Sequence, residues 1–185
     1  MIPIRRAGSA HSLVVSMTGA KMGERVVQIG CAHGGRLGAI AAPVGLSGRA
    51  VAIVPDDAAA ARARKGAAES GVLVEVEVAP PTRVPLDNDA FDVAVIDDTG
   101  GLLSTMPAED RVATVREAIR ILRPGGRVIV IGALPRGGLG ALFSRAPSAP
   151  SADPAAALQA DGFKSVRTLA EREGLRFTEG IKPRT

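Results

Sequence analysis

The chain has 185 residues, a net charge of +4 and a single cysteine. That length suits one domain with a sizeable core, and one cysteine excludes an internal disulfide. No apolar run approaches the roughly 18 residues that span a bilayer, and no charged leader precedes an apolar segment, so a reducing cytoplasm is the expected compartment.

The 19 Arg and 4 Lys are scattered rather than blocked, and Tyr and Trp are absent beside four Phe. Single-stranded nucleic acid is held by aromatic stacking as well as charge, so nucleic acid is not the expected partner. An aromatic cage for a cationic substrate is excluded on the same ground. No metal-ligand cluster is read from the sequence, and no membrane partner is expected.

A lead-in occupies residues 1–24, with a short helix expected over 9–18 and a turn at T-G-A-K-M-G. Residues 26–29 form a short apolar run stopped by Gly30, the pattern of a buried parallel strand. A helix over 35–44 follows, weakened at its end by Pro43. Residues 50–54 read as a second buried strand. Asp56 or Asp57 caps an Ala-rich helix that ends near Gly71. Residues 72–78 alternate Val or Leu with Glu, as a strand with one wetter face does. Three prolines make 79–85 a loop.

Residues 91–96 are the next strand, with 97–101 as the loop at its carboxyl end. The clearest helix begins near Pro107, with Glu109 and Asp110 favourably placed against the dipole. Val112, Val115, Ile119 and Leu122 give it one apolar stripe, and it should stop before Pro124. Gly125 and Gly126 turn the chain into a strand over 127–131. The Gly-, Pro- and Ser-rich stretch 134–154 is the candidate lid or linker. A short helix over 154–160 and two strands, 163–169 and 175–181, joined as a hairpin by 171–174, close the chain.

Strand–helix alternation ending in a hairpin predicts an α/β fold: a doubly wound, mostly parallel sheet of about seven strands, finished by an antiparallel hairpin. Ligands of such sheets bind beyond the carboxyl ends of the strands. The loops after Ile29, Val54, Val78, Ile96 and Ile131 should therefore line a site.

Three segments carry a family resemblance. Residues 23–34, G-E-R-V-V-Q-I-G-C-A-H-G, resemble G-x-x-V-L-D-x-G-C-G-x-G. Residues 85–92, P-L-D-N-D-A-F-D, resemble P-F-x-x-x-x-F-D. Residues 120–127, R-I-L-R-P-G-G-R, resemble R-x-L-K-P-G-G-x. Together they resemble the class I S-adenosylmethionine-dependent methyltransferases of the ubiquinone/menaquinone-biosynthesis and small-molecule type, over about residues 24–132. A dinucleotide-binding Rossmann domain is the competitor. Its G-x-G-x-x-G would fall on Gly30, Ala32 and Gly35, with the middle glycine lost.

The resemblance implies S-adenosylmethionine as cofactor, held around Gln28, Gly30, Ala32, His33, Gly34, Val54, Pro55 and Asp56. It also marks departures. The family's acid before the first glycine is Gln28, which brings no charge. Its second glycine is Ala32, whose methyl group intrudes on a close approach. The acid that holds both ribose hydroxyls falls on Val54, and the acid that reaches adenine falls on Pro80. Losing two charge-assisted ribose bonds costs roughly 3–6 kcal/mol, about a hundredfold to ten-thousandfold in affinity.

Asp97 and Asp98, at a strand's carboxyl end, are the candidate catalytic bases or substrate anchors. Their structural alternative is a turn or cap. His33 reads as a solvent-facing turn residue, Cys31 as a packed one and His11 as a half-buried one. Two readings follow: a methyltransferase acting on a small molecule, or a degenerate methyltransferase-like protein serving as a binding or dimerisation partner, with a homodimer as one such assembly.

Overall fold

The computed structural model describes residues 11–134 and 153–184. The expected lid over 134–154 lies almost wholly outside the described residues, as does the start of the expected first helix.

Among the described residues seven strands form one sheet in the order β3-β2-β1-β4-β5-β7-β6. They are β1 (Arg25–Ile29), β2 (Arg49–Val54), β3 (Glu75–Val78), β4 (Phe91–Asp98), β5 (Leu122–Ala133), β6 (Lys164–Arg172) and β7 (Leu175–Ile181). The first five are parallel, and β7 runs antiparallel to both β5 and β6. The order reverses between β1 and β4, so their carboxyl ends open onto the switch point where such sheets bind ligands.

Alternation sorts each strand's side chains between two faces. Val27, Ile29, Ala94, Ile96, Val128 and Val130 pack under α4 (Ala108–Ile121) and α5 (Pro154–Ala160). Val26, Val93, Val95, Ile129 and Ile131 face α1 (Ser12–Thr18) and α2 (Gly34–Ala41). Ala52 and Val54 continue that second layer toward α3 (Asp57–Ser70), packing with Cys31, Leu37, Ala59, Ala60 and Ala63.

Local chemistry sets the ends of these elements. Asp56 caps α3 by accepting the Ala59 N–H at 2.7 Å, and Gly71 ends it in the left-handed region at φ +66°. α2 stops at Ala41, short of the expected residue 44, and around Pro43 the chain tightens into one 3-10 turn, Ala42–Val44.

Four further expectations are corrected. The loop begins later than residue 97, because β4 runs through Asp98 by pairing Asp97 with Ile131 and Asp98 with Gly132. Leu122 belongs to β5 rather than to the helical stripe, since α4 stops at Ile121. The Pro-Gly-Gly turn is an irregularity inside β5, where the register with β4 shifts and Gly125 adopts φ +79°. β3 starts at Glu75, so residues 72–74 are not strand.

Candidate functional site

The glycine turn between β1 and α2 sits at the switch point. Gly30 leaves β1 at φ +83°, a conformation that favours glycine, and its N–H donates to the Ile53 carbonyl at 2.8 Å. Cys31 is buried, and burial pushes its thiol up to about 11, with the nearby Asp97 carboxylate adding to the effect. It is a packed residue, as expected, and a poor nucleophile. Ala32 and His33 are exposed. His33 stands at the N-cap of α2 without a side-chain capping bond, and its ring meets that of His11 edge-on with centroids 5.5 Å apart. Burial and the neighbouring His33 and Arg36 hold the His11 pKa below its ordinary value.

Gly34 serves helix packing. A Cβ there would run into the Arg62 carbonyl and stand 3.0 Å from the Gly66 Cα. The first turn of α2 thus lies directly on the backbone of α3, and Gly66 is the partner that makes this possible.

The structure brings Asp97 to the glycine turn. Its side chain is fully buried. One carboxylate oxygen accepts the Ala32 N–H at 3.0 Å. The other accepts Arg36 Nη1 at 3.1 Å, the Thr99 N–H at 3.2 Å and the Thr99 hydroxyl at 2.6 Å. Arg36 Nη1 also donates to Thr99 Oγ1 at 2.6 Å, while its Nε is buried without a partner. Asp98 is half-buried and accepts the Leu103 N–H at 2.6 Å. Burial raises its pKa, the backbone N–H bonds from Leu103 and Ser104 oppose that, and Asp97 adds to it.

Gln28 is buried with Nε2 donating to the Gly30 carbonyl at 2.8 Å, which leaves Oε1 unpartnered. Val54 is wholly buried in the apolar cluster of α2 and α3. Pro55, Asp56 and Pro80 are exposed, and the Asp56 carboxylate is engaged as the α3 cap. No motif in the sequence marks Arg36, Thr99, Leu102 or Gly66. The one local signal is a lone arginine in the first turn of an otherwise small and apolar helix, G-G-R-L-G-A-I-A.

Open grooves among the described residues lie elsewhere. One, of about 480 Å³, runs between Thr82 and the outer face of α4 at Glu109, Val112 and Arg116. Another, of about 360 Å³, lies between 83–87 and Arg120. Neither touches the glycine turn. Among the described residues no helix is long and apolar enough to cross a membrane, and no group of three or more His, Cys, Asp or Glu could hold a metal ion.

A doubly wound sheet with a glycine turn after β1, a Pro-Gly-Gly irregularity opening β5 and a closing antiparallel hairpin is the architecture of a Rossmann-like methyltransferase. The methyltransferase domain family matches residues 26–126, and the chain belongs to that family of class I S-adenosylmethionine-dependent methyltransferases. A protein of 37.1 kDa in transposon TN4556 of Streptomyces fradiae, described as uncharacterized, is 32% identical over 124 residues, or 67% of this chain. The match spans only 34% of that relative's length.

A S-adenosylmethionine-dependent methyltransferase from Aquifex aeolicus superposes with a TM-score of 0.71 at 18% identity, covering 94% of this chain and 89% of its own. The [4+2]-cyclase SpnF superposes with a TM-score of 0.65 at 18% identity, covering 94% of this chain and 79% of its own. At such identities the likeness shows the fold.

S-adenosylmethionine is the cofactor that this membership implies. The side chains around the turn do not fit it. Where the family resemblance expects the ribose acid stands Val54, packed in the apolar cluster of α2 and α3, and where it expects the acid near the methionine ammonium stands Gln28, whose Nε2 donates to the Gly30 carbonyl. The nearby buried carboxylate, Asp97, already accepts from Ala32, Arg36 and Thr99.

Proposed function

We propose that this chain is a single methyltransferase-fold domain that has lost cofactor-dependent transfer and works as a binding or dimerisation module. The observation that carries this reading is Val54. Its side chain is 0% exposed and packs against Cys31, Leu37 and the alanines of α3, where the family places a carboxylate for the ribose. On this reading Gly30 and Ala32 keep the turn of an ancestral site, Gly34 is a packing residue, and Asp97 is a positioning residue rather than a base. Because the match spans about a third of the curated relative's length, the module is proposed for this domain and not for a larger protein.

Methyl transfer to a small molecule is the second reading. The intact turn at Gly30 and the half-buried Asp98 at the mouth of the switch point favour it.

Thermal unfolding with added cofactor separates the two. At 1 mM S-adenosylmethionine or S-adenosylhomocysteine, a 10 μM site would add about 2.7 kcal/mol of stability. That raises Tm by about 5–10 °C for a domain of this size. A site weakened to about millimolar adds about 0.4 kcal/mol and shifts Tm by about 1–2 °C. The proposal expects at most the small shift, down to none, and the large one refutes it in favour of the second reading.

A further inference from the structure

The loop after β4 lies against the glycine turn and meets it at two places, Gly30 and the Ala32 methyl. A Cβ on Gly30 would stand 2.8 Å from Leu102 Cδ2 and 3.1 Å from the Asp97 carbonyl, so Leu102 covers the face that this glycine leaves bare. A Cβ on Gly100 would stand 3.0 Å from the Ala32 methyl, so the loop's glycine admits the methyl group that departs from the family pattern. Between these contacts the Asp97 carboxylate accepts the Ala32 N–H. A glycine turn binds nucleotide-like ligands by offering bare backbone and free N–H groups. Here one stretch of the same chain meets the Gly30 face through Leu102 and takes the Ala32 N–H through Asp97.

The stretch is built to hold its shape. Gly101 N–H donates to the Asp98 carbonyl at 2.9 Å, Asp98 accepts the Leu103 N–H, and the Thr105 hydroxyl donates to the Gly101 carbonyl at 2.8 Å. Arg36 ties it to α2 through Asp97 and Thr99.

We propose that residues 99–104 form a built-in strap that occupies the glycine turn in place of a ligand, latched by Arg36, Asp97 and Thr99. The proposal rests on the reading that the domain does not use S-adenosylmethionine, and it names what keeps the cofactor out.

The test uses the whole chain, wild type and Thr99→Ala/Leu102→Ala, with amide exchange and amide chemical shifts read by NMR. The Ala32 N–H donates to Asp97, so its exchange reads that contact. In the ligand-free wild type that amide should exchange about a hundredfold or more below the unstructured rate. In the double variant its protection should fall at least about tenfold, with core amides such as Val95 unchanged as the sign that the variant is folded. A wild-type Ala32 amide that exchanges at the unstructured rate overturns the strap.

Millimolar S-adenosylhomocysteine is then added to both proteins. The proposal expects shifts at 30–33 in the variant and none in the wild type. If neither responds, the strap is not the barrier, and the proposed loss of cofactor use still stands. If the wild type binds tighter than about 100 μM, that proposed function fails as well.

Discussion

Replacing Gly66 with alanine sets two effects of opposite sign against each other. Gly66 lies inside α3, where alanine is favoured over glycine by about 1 kcal/mol from helix propensity alone. Its Cβ, however, would run into the Gly34 carbonyl and Cα, which are backbone atoms of α2 and cannot rotate away. Overpacking costs about 1–3 kcal/mol, with the upper end expected where backbone must move. The clash therefore wins, and Gly66→Ala should lose about 2 kcal/mol net. Urea unfolding followed by circular dichroism reads this as a midpoint lowered by about 1 M at unchanged slope. Gly71→Ala is the control: nothing lies within 4 Å, and only its φ of +66° opposes substitution, so its loss should be about 1 kcal/mol. A Gly66→Ala protein as stable as wild type refutes the claim that α2 and α3 meet backbone to backbone beneath the glycine turn.

Three further outcomes follow from the site. Val54→Asp, made to restore the family's ribose acid, should lose about 3 kcal/mol or more in urea unfolding, because it buries a carboxyl group among apolar side chains. Unchanged stability with a gain in S-adenosylhomocysteine affinity would place residue 54 in an open cleft instead. Glu117 is held below the ordinary glutamate range by its hydrogen bond from Arg120, despite partial burial, with help from the Val84 N–H. A depressed carboxylate stabilises the fold above its unfolded-state pKa and loses that contribution as pH falls through its folded value. Glu117→Gln should therefore destabilise at pH 7 by about 1–2 kcal/mol, with the gap to wild type closing toward acid pH in parallel urea titrations. A gap that is constant with pH contradicts the assignment. Burial raises the Asp98 pKa, so its charge is unfavourable in the fold, and Asp98→Asn, which keeps an acceptor for Leu103, should be more stable than wild type at pH 7. Lower stability in thermal unfolding would show that the charge itself holds the loop.

Much of the fold is legible in local sequence because local chemistry sets it. The apolar run before Gly30, the Asp56 cap, the αL glycine at 71 and the Pro-initiated α5 each follow from a residue's own conformational preference. The ends of β4 and β5 do not, because pairing decides them: Asp97 and Leu122 are strand residues only because Ile131 and Phe91 lie opposite. The family positions are also readable, which is how Gln28, Ala32, Val54 and Pro80 stand out as departures. What replaces the missing contacts is not readable. Arg36 and Asp97 are 61 residues apart in the chain, and nothing in either segment signals the other. Gly34 illustrates the same limit: its motif suggests a ligand-facing glycine, whereas its partner Gly66 is fixed by the way α2 crosses α3.

The central claim is that the methyltransferase fold is kept while its cofactor site is not. Calorimetric titration of the wild-type chain with S-adenosylmethionine tests it most directly. The account predicts no saturable heat below about 1 mM, in line with the loss of two or more charge-assisted hydrogen bonds. Saturable one-to-one binding tighter than about 100 μM contradicts it.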